Sequence, residues 1–226
     1  MIFRQLFDAE TSTYTYLIAD RETRLAALVD PVREHVARDL ALIDELGLTL
    51  AYVLETHVHA DHITGAGLLR QRTGARSVAS KRGAACADLH LDDGDLLHVG
   101  NLVVRVIATP GHTDDSLSYL VGDRVLTGDA LLIRSAGRTD FQNGDPAQLY
   151  ASITTRLFTL PDDTQVYPGH DYRGFTVSSI GEERRWNARV AGKSSAEFSA
   201  IMNGLALPPP RHLAVAVPAN RSCGEA

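Results

Sequence analysis

Apolar and polar positions along the chain follow two periodicities, one typical of strands and one typical of helices. Short runs of β-branched and aromatic residues, such as residues 13–18 and 102–108, predict β-strands bounded by polar turns. Between Pro31 and Gly47, apolar residues recur at steps of three and four, which predicts an amphipathic helix. The predicted strands are residues 2–7, 13–18, 25–30, 50–54, 77–79, two within 89–97, 102–108, 117–121, 124–126 and 165–167.

The order of the elements predicts the architecture. Strands and helices that follow one another in this way pack as two mixed sheets with helices outside. We find no internal repeat and treat residues 1–226 as a single domain with a short helical tail at the C-terminus. The remaining predicted helices are residues 63–73, 148–157, 178–190 and 195–203, followed by an irregular segment that includes residues 207–210.

Histidine or aspartate directly follows an apolar strand at four places in the chain. These places are residues 57–62, His112, Asp129 and residues 170–171. Strand ends of this kind can converge on one edge of a β-sandwich, and imidazole and carboxylate are donors that transition metals prefer. The pattern therefore predicts a metal site at a sheet edge.

The densest group of donors is the sequence THVHADH, residues 56–62. On an extended loop, His57 and His59 point to the same side because side chains alternate with a period of two. We expect Asp61 and His62 to lie at or near the start of the following helix. One short loop can therefore direct four donors into one cavity.

Composition and charge limit the classes of partner. The formal net charge of −6 argues against nonspecific nucleic-acid binding, and no basic run indicates a membrane surface. No apolar run reaches the roughly 18 residues of a membrane span, and the N-terminus reads as a strand rather than a targeting segment. Cys86 and Cys223 form no CxxC pair, so we expect free thiols and a reduced, cytoplasmic setting.

Four motifs together resemble those of the metallo-β-lactamase superfamily. They are THVHADH (56–62), TPGHT (109–113), TGDA (127–130) and YPGHD (167–171), in the order that the family shows. The resemblance implies an α+β fold, the four-layer αββα sandwich of metallo-β-lactamases. The superfamily is chemically broad, so the fold alone does not fix the reaction.

Three further segments, residues 130–142, 170–179 and 217–220, are similar to the persulfide dioxygenases, also called sulfur dioxygenases. This resemblance implies oxidation of glutathione persulfide by O₂ and water, giving sulfite and glutathione, at a mononuclear non-haem iron(II) site. It also implies one iron per chain, and dimers are common in the family, so a homodimer is a further expectation.

Carried over by position, the resemblance implies that His57, His112 and Asp129 are the iron ligands and the catalytic centre. Two imidazoles and one carboxylate on one face of an octahedron leave positions for water, sulfur and O₂. It implies further that His59, Asp61, His62 and His170 surround these ligands and orient them.

Two residues are expected to contact the substrate. Arg138 matches the substrate-contacting arginine of the family, and its guanidinium can form paired hydrogen bonds with a carboxylate of glutathione. Tyr172 follows His170 by two residues and can direct its hydroxyl into the same cavity. The chain departs from some family members at residues 114–116 and at Ala136, where those members have Pro-Gly-Cys and a cysteine; these changes leave the iron ligands intact.

Two other functions share part of this pattern. A glyoxalase II-like thioester hydrolase uses the same fold and ligand set to hold two metal ions with a bridging hydroxide. Residues 130–142 and the short C-terminal part fit the dioxygenases better than such a hydrolase. A non-catalytic module with this fold would have lost ligands, and all motif ligands are present here.

Overall fold

Two six-stranded β-sheets lie face to face in the computed structural model, which describes residues 1–210 and 212–224. The first sheet has the order β1-β2-β3-β4-β5-β6, and the second has the order β14-β13-β10-β9-β8-β7. The strands are β1 Ile2–Asp8, β2 Thr13–Ala19, β3 Leu25–Val29, β4 Thr49–Leu54, β5 Arg76–Ser80, β6 Leu89–Leu91, β7 Leu96–Val99, β8 Leu102–Ala108, β9 Leu117–Val121, β10 Arg124–Gly128, β11 Leu131–Leu132, β12 Ser135–Ala136, β13 Gln165–Pro168 and β14 Ser178–Ser179. The α-helices are α1 Val36–Glu45, α2 Ala66–Thr73, α3 Pro146–Thr155, α4 Ile180–Trp186, α5 Ser195–Asn203 and α6 Leu213–Arg221.

Side-chain alternation divides the core into layers. In β2, Tyr14, Tyr16 and Ile18 join the cluster between the sheets, whereas Leu17 and Ala19 face the cluster that α1 and α2 cover. A third cluster lies between the second sheet and helices α3 and α5. Because strand side chains alternate with a period of two, both sheets bury both faces. The layers run helix, sheet, sheet, helix, which confirms the predicted α+β sandwich.

The strand directions bring the predicted donors to one edge. Strands β3, β4 and β5 are parallel neighbours in the first sheet. In the second sheet β8 and β10 both run antiparallel to β9, and β10 runs parallel to β13. The C-terminal ends of these strands are followed by residues 57–62, His112, Asp129 and His170. His57, Asp61, His112, Asp129 and His170 line one cavity.

The structure differs from the predicted elements at three places. Helix α2 begins at Ala66 and not at residue 63, because Gly65 donates its backbone N–H to Pro31 and Thr64 donates to the Asn220 side chain. Asp61 and His62 therefore lie in the loop, not at the helix start. The predicted helix 178–190 opens as strand β14 and ends at Trp186. The segment after residue 210 contains α6 and is not wholly irregular.

The expectation of two free thiols is wrong. Cys86 and Cys223 form a disulfide, with a Cα–Cα distance of 6.0 Å across a sequence separation of 137 residues. The two cysteines meet because the segment after α6 returns to the loop between β5 and β6. Their separation in sequence gives no indication of this contact. Within residues 1–210 and 212–224, every helix falls short of what a bilayer crossing requires in length and apolar character.

Candidate metal centre

The side chains of His57, His112 and Asp129 converge at the sheet edge. One donor atom from each lies within 4.8 Å of the others, and His112 Nε2 is 3.6 Å from Asp129 Oδ2. His57 follows β4 of the first sheet, whereas His112 and Asp129 follow β8 and β10 of the second. The donor set and its spacing fit one transition-metal ion held by two imidazoles and a carboxylate.

Hydrogen bonds fix which imidazole nitrogen each histidine presents. The Thr56 hydroxyl donates its proton to Asp30 Oδ2 at 2.8 Å, so it accepts from His57 Nδ1 at 3.0 Å. His112 Nδ1 donates to the Arg138 carbonyl at 2.7 Å. In both rings Nε2 keeps a lone pair, which is the form that binds a metal.

Two glycines let the backbone approach these ligands closely. A Cβ atom on Gly169 would lie 2.7 Å from Asp129 Oδ1, and one on Gly137 would lie 2.9 Å from His112 Nδ1 and 2.0 Å from the Asp129 carbonyl oxygen. All three distances are shorter than van der Waals contact, so these positions have no room for a side chain. The ligand positions therefore depend on glycine at 137 and 169.

His170 lies between two carboxylates. Its Nδ1 is 2.7 Å from Asp129 Oδ1 and its Nε2 is 2.9 Å from Asp61 Oδ2, so the protonated ring can donate to both. Burial opposes this charge, but Asp129 and Asp61 raise the pKa of His170 well above its usual value. Burial likewise opposes the Asp129 charge, and the imidazoles of His170, His112 and His57 hold the pKa of Asp129 well below its usual value.

His59, Asp61 and His62 form a second group of donors beside the first, and their donor atoms also lie within 4.8 Å of one another. Asp61 Oδ2 accepts hydrogen bonds from His62 Nδ1 at 2.9 Å and from the Thr13 hydroxyl at 2.9 Å. His59 is buried, and its Nε2 faces Asp30 Oδ1 at 3.1 Å and Glu55 Oε2 at 3.3 Å. Asp30 and Glu55, against the effect of burial, raise the pKa of His59 well above its usual value.

Sequence reasoning missed three residues of this surrounding layer, which are Thr13, Asp30 and Asn220. Asp30 had a usable signal, because it directly follows an apolar strand as the ligands do. Asn220 is 4% exposed and donates to the backbone carbonyls of His59 and His62 at 2.9 and 2.8 Å. Asn220 lies in the segment 217–220 that resembles the persulfide dioxygenases, but nothing in that segment marks it as part of a metal site, and Thr13 stands in no motif.

A cavity of about 720 Å³ opens onto the ligand trio. Residues 207–210 form part of its wall, and the Arg138 guanidinium donates to the Pro208 carbonyl at 2.7 Å. Tyr172 is 71% exposed, and its ring stacks on that of His170 with 5.9 Å between the centroids. The cavity therefore combines an apolar wall with polar groups near the trio.

Four arginines line this cavity and differ in their partners. Arg138 forms a paired contact with Asp140 at 2.7 Å, and Arg134 is paired with Glu182 and Glu183. The guanidinium of Arg173 donates to the Ile133 carbonyl, and that of Arg189 donates to the Ala136 carbonyl. Within the described residues, neither of these two guanidinium groups contacts a carboxylate. Burial, together with Arg173, lowers the pKa of Arg189.

The family model described as the metallo-β-lactamase superfamily matches residues 9–85 and 87–170. Human mitochondrial persulfide dioxygenase ETHE1 is 50% identical to this chain over 227 residues, which cover 99% of this chain and 89% of the human protein. The chain is a member of the persulfide dioxygenase family. Mouse ETHE1 is 48% identical over the same coverage. The predicted superfamily, fold and family are thereby confirmed.

Two solved structures resemble the structure of this family member to different degrees. Myxococcus xanthus ETHE1 has a TM-score of 0.99 and 64% identity, with 100% of both chains covered. The structure of TTHA1623 in a di-iron-bound form is more distant, with a TM-score of 0.69 and 25% identity over 81% of this chain and 98% of that one. The fold thus occurs with two bound metals in a relative, so the number of metals must be argued from the residues of this chain.

Proposed function

We propose that this protein oxidises glutathione persulfide with O₂ and water, giving sulfite and glutathione, at one iron(II) ion held by His57, His112 and Asp129. The observation that carries the proposal is that the two oxygens of the Asp129 carboxylate have different partners. Its Oδ1 accepts from His170, and its Oδ2 faces His112 Nε2. One oxygen is thus hydrogen-bonded within the protein, and the other faces the histidines that would bind the same ion.

The same network supports a single metal over two. A second ion would need Asp61, His62 and His170 as ligands, but Asp61 Oδ2 already accepts from both of these histidines and from Thr13. Both ring nitrogens of His170 are likewise within hydrogen-bond distance of a carboxylate, Nδ1 of Asp129 and Nε2 of Asp61. This is the reason to prefer the dioxygenase over a glyoxalase II-like hydrolase.

When bound by these three residues, iron(II) would supply open coordination positions at which the persulfide sulfur and O₂ meet. The protein residues do the rest. Thr56 and the Arg138 carbonyl keep Nε2 of His57 and His112 unprotonated, and His170 keeps Asp129 ionised. The cavity holds the tripeptide so that its sulfur lies in a fixed orientation, which lowers the entropic barrier.

The arginines of the cavity suit a substrate with carboxylates. Arg173 and Arg189 are the cations with the most donors to spare, because their guanidinium groups contact only carbonyls and a thioether or ring among the described residues. Arg138 remains a candidate, and a substrate carboxylate would have to share it with Asp140. Tyr172 can close the cavity above His170. A cytoplasmic location and a homodimer stay predictions from the sequence.

The decisive experiment measures two reactions on one iron-loaded sample. O₂ uptake with glutathione persulfide, at about one iron per chain, supports the proposal. Hydrolysis of a glutathione thioester without O₂ uptake, with two metals per chain, would replace it with the hydrolase. The metal content is measured on protein purified anaerobically.

A further inference from the structure

The C-terminal helix α6 holds the loop that carries His59 and His62. Asn220 donates from Nδ2 to the carbonyls of both histidines, and its Oδ1 accepts from the Thr64 backbone N–H at 2.8 Å. Just beyond the helix, the Cys223 carbonyl accepts from the Gly67 N–H at 2.9 Å. One short segment thus forms hydrogen bonds with four backbone groups in and just after residues 56–62, which we call the metal-ligand loop.

Helix α6 has little apolar packing of its own. None of its described residues belongs to the three large apolar clusters, and Val215 is 62% exposed. The contacts next to it form a small cluster of Ala79, Ala84 and Cys223. A helix with so few buried apolar contacts opens easily unless another constraint holds it.

The disulfide is that constraint. It joins Cys223, directly after α6, to Cys86 in the loop between β5 and β6. Cys223 is 4% exposed and Cys86 is half-buried, so an attacking reductant reaches the Cys86 sulfur first. The covalent link therefore has an accessible side although its other half is enclosed.

We propose that Asn220 is a positioning residue for the metal-ligand loop and that the Cys86–Cys223 disulfide keeps it in place, so that reduction of this disulfide loosens the metal centre. The proposal rests on the metal site of the proposed function, but it adds a redox-dependent control of that site. The class of partner is a small thiol such as glutathione, the product of the proposed reaction.

The redox step balances as a thiol–disulfide exchange. A first glutathione thiolate attacks the Cys86 sulfur, the S–S bond breaks, and the Cys223 thiolate leaves and takes a proton. A second glutathione thiolate attacks the mixed disulfide and releases Cys86 as a thiol. The protein disulfide gains two electrons and two protons, and the two glutathiones leave as glutathione disulfide.

The backbone amides of Thr64 and Gly67 test the proposal directly, because each donates to the segment that the disulfide holds. Hydrogen exchange is measured on the full chain, with and without a phosphine reductant. We expect both amides to exchange about tenfold faster or more after reduction. The Val106 amide, which donates to the Asp95 carbonyl in the second sheet, reports global unfolding. If Thr64 and Gly67 change no more than Val106, the disulfide does not hold the loop.

Cys86→Ser is expected to match the reduced protein and to be insensitive to the reductant. Asn220→Ala is expected to raise the dissociation constant for iron(II) by about 10- to 100-fold, measured by competition with a chelator. Asn203→Ala, at the exposed end of α5, is the matched control. An unchanged constant in Asn220→Ala would remove its positioning role. Neither readout uses persulfide oxidation, so a failure of the proposed reaction would leave these results standing.

Discussion

Single residues decide which donor atoms would face a metal ion at the candidate centre. His57 and His112 each give Nδ1 to an oxygen of the protein and so present Nε2, while Asp129 gives one oxygen to His170 and presents the other. These bonds come from Thr56 and from the Arg138 backbone, both close to the ligand motifs in space. These hydrogen bonds orient the donor atoms that would face an ion, as outer hydrogen bonds usually do around metal ligands.

Replacing His112 by alanine should remove iron and turnover together. Two remaining ligands cannot hold the ion tightly, so we expect the iron content to fall at least about tenfold. His98→Ala, on the exposed side of β7, is the control that should keep its iron. Metal analysis after anaerobic purification checks both variants, and normal iron in His112→Ala would contradict the ligand assignment.

Replacing Arg189 by glutamine should weaken substrate binding and leave iron bound. A charged hydrogen bond to a carboxylate contributes about 1.5–3 kcal/mol, so KM for glutathione persulfide should rise by about 10- to 100-fold. Arg124→Gln, at the far edge and paired with Asp123, is the control. Steady-state O₂ uptake measures KM, and a wild-type value in Arg189→Gln would exclude it from the substrate site.

The residues of this centre differ in how far sequence reveals them. His57, His112 and Asp129 stand in short motifs after strands, and the structure brings their donor atoms together. Arg189 lies outside the motifs, and Asn220 lies in a family-like segment without a donor pattern; each reaches the site only through the packing of distant segments. Local spacing carries no record of such long-range contacts.

At the scale of elements, tight backbone approaches and turns position the strand ends. The segment from β13 to His170 passes so close to Asp129 that only glycine fits at position 169. At the opposite edge, the Asp20 carboxylate accepts from the Thr23 hydroxyl and from the Asn101 N–H, and so joins the β2–β3 turn to the β7–β8 turn. Each sheet is thus tied to the other at both edges.

Gly169→Ala should lower iron occupancy without unfolding the protein. The new Cβ would lie 2.7 Å from Asp129 Oδ1 and would push the carboxylate away from its position. We expect the iron dissociation constant to rise by about tenfold or more. Gly204→Ala at the end of α5 tests the general cost of the substitution. Equal iron affinity in the two variants would show that the close approach has no role.

Asp20→Asn should change the acid stability of the protein in a defined window. Hydrogen bonds, led by that from the Asn101 N–H, lower the pKa of Asp20 from 3.8 to about 2. A carboxyl with a lowered folded-state pKa stabilises the protein above its unfolded pKa, and this contribution is lost as pH falls through the folded one. The difference in free energy of unfolding between wild type and variant should therefore shrink between pH about 4 and about 2. Urea unfolding across this range measures it; a constant difference would contradict the argument.

The elements themselves were largely predictable, and the exceptions have physical causes. The strands follow from runs of β-branched residues, and α5 follows from its apolar period and its Ser194 cap. The start of α2 was not predictable, since its first backbone N–H groups are satisfied by Pro31 and Asn220 instead of by a preceding helical turn. Helix α6 was missed because proline-rich residues 207–210 precede it and Pro218 lies inside it.

At the scale of the whole molecule, the ligand trio joins the two sheets. His57 follows a strand of the first sheet, whereas His112 and Asp129 follow strands of the second, so an ion held by all three would link both halves of the sandwich. The disulfide adds a second link, from the C-terminal segment to the first sheet. Spatial neighbours that are 137 residues apart cannot be paired from cysteine spacing, which is why the expectation of free thiols failed.

Iron loading should therefore raise the stability of the entire fold. An ion that binds only the folded state adds about 2.7 kcal/mol at a free concentration one hundred times its dissociation constant. Urea unfolding of the iron-loaded and chelator-treated protein, both anaerobic, measures this difference. His112→Ala should show no response to iron. Identical midpoints for the two wild-type samples would mean that the ion does not select the folded state.

Since the chemistry is gathered at one rim of the sandwich, the other rim is open to engineering. The tight turn at Gly122 and Asp123, between β9 and β10, lies there, and Asp123 is exposed. A fluorescent label or an affinity tag inserted at that turn would sit a full strand length from the ligands. Such a handle would allow the protein to be immobilised with its cavity facing the solvent.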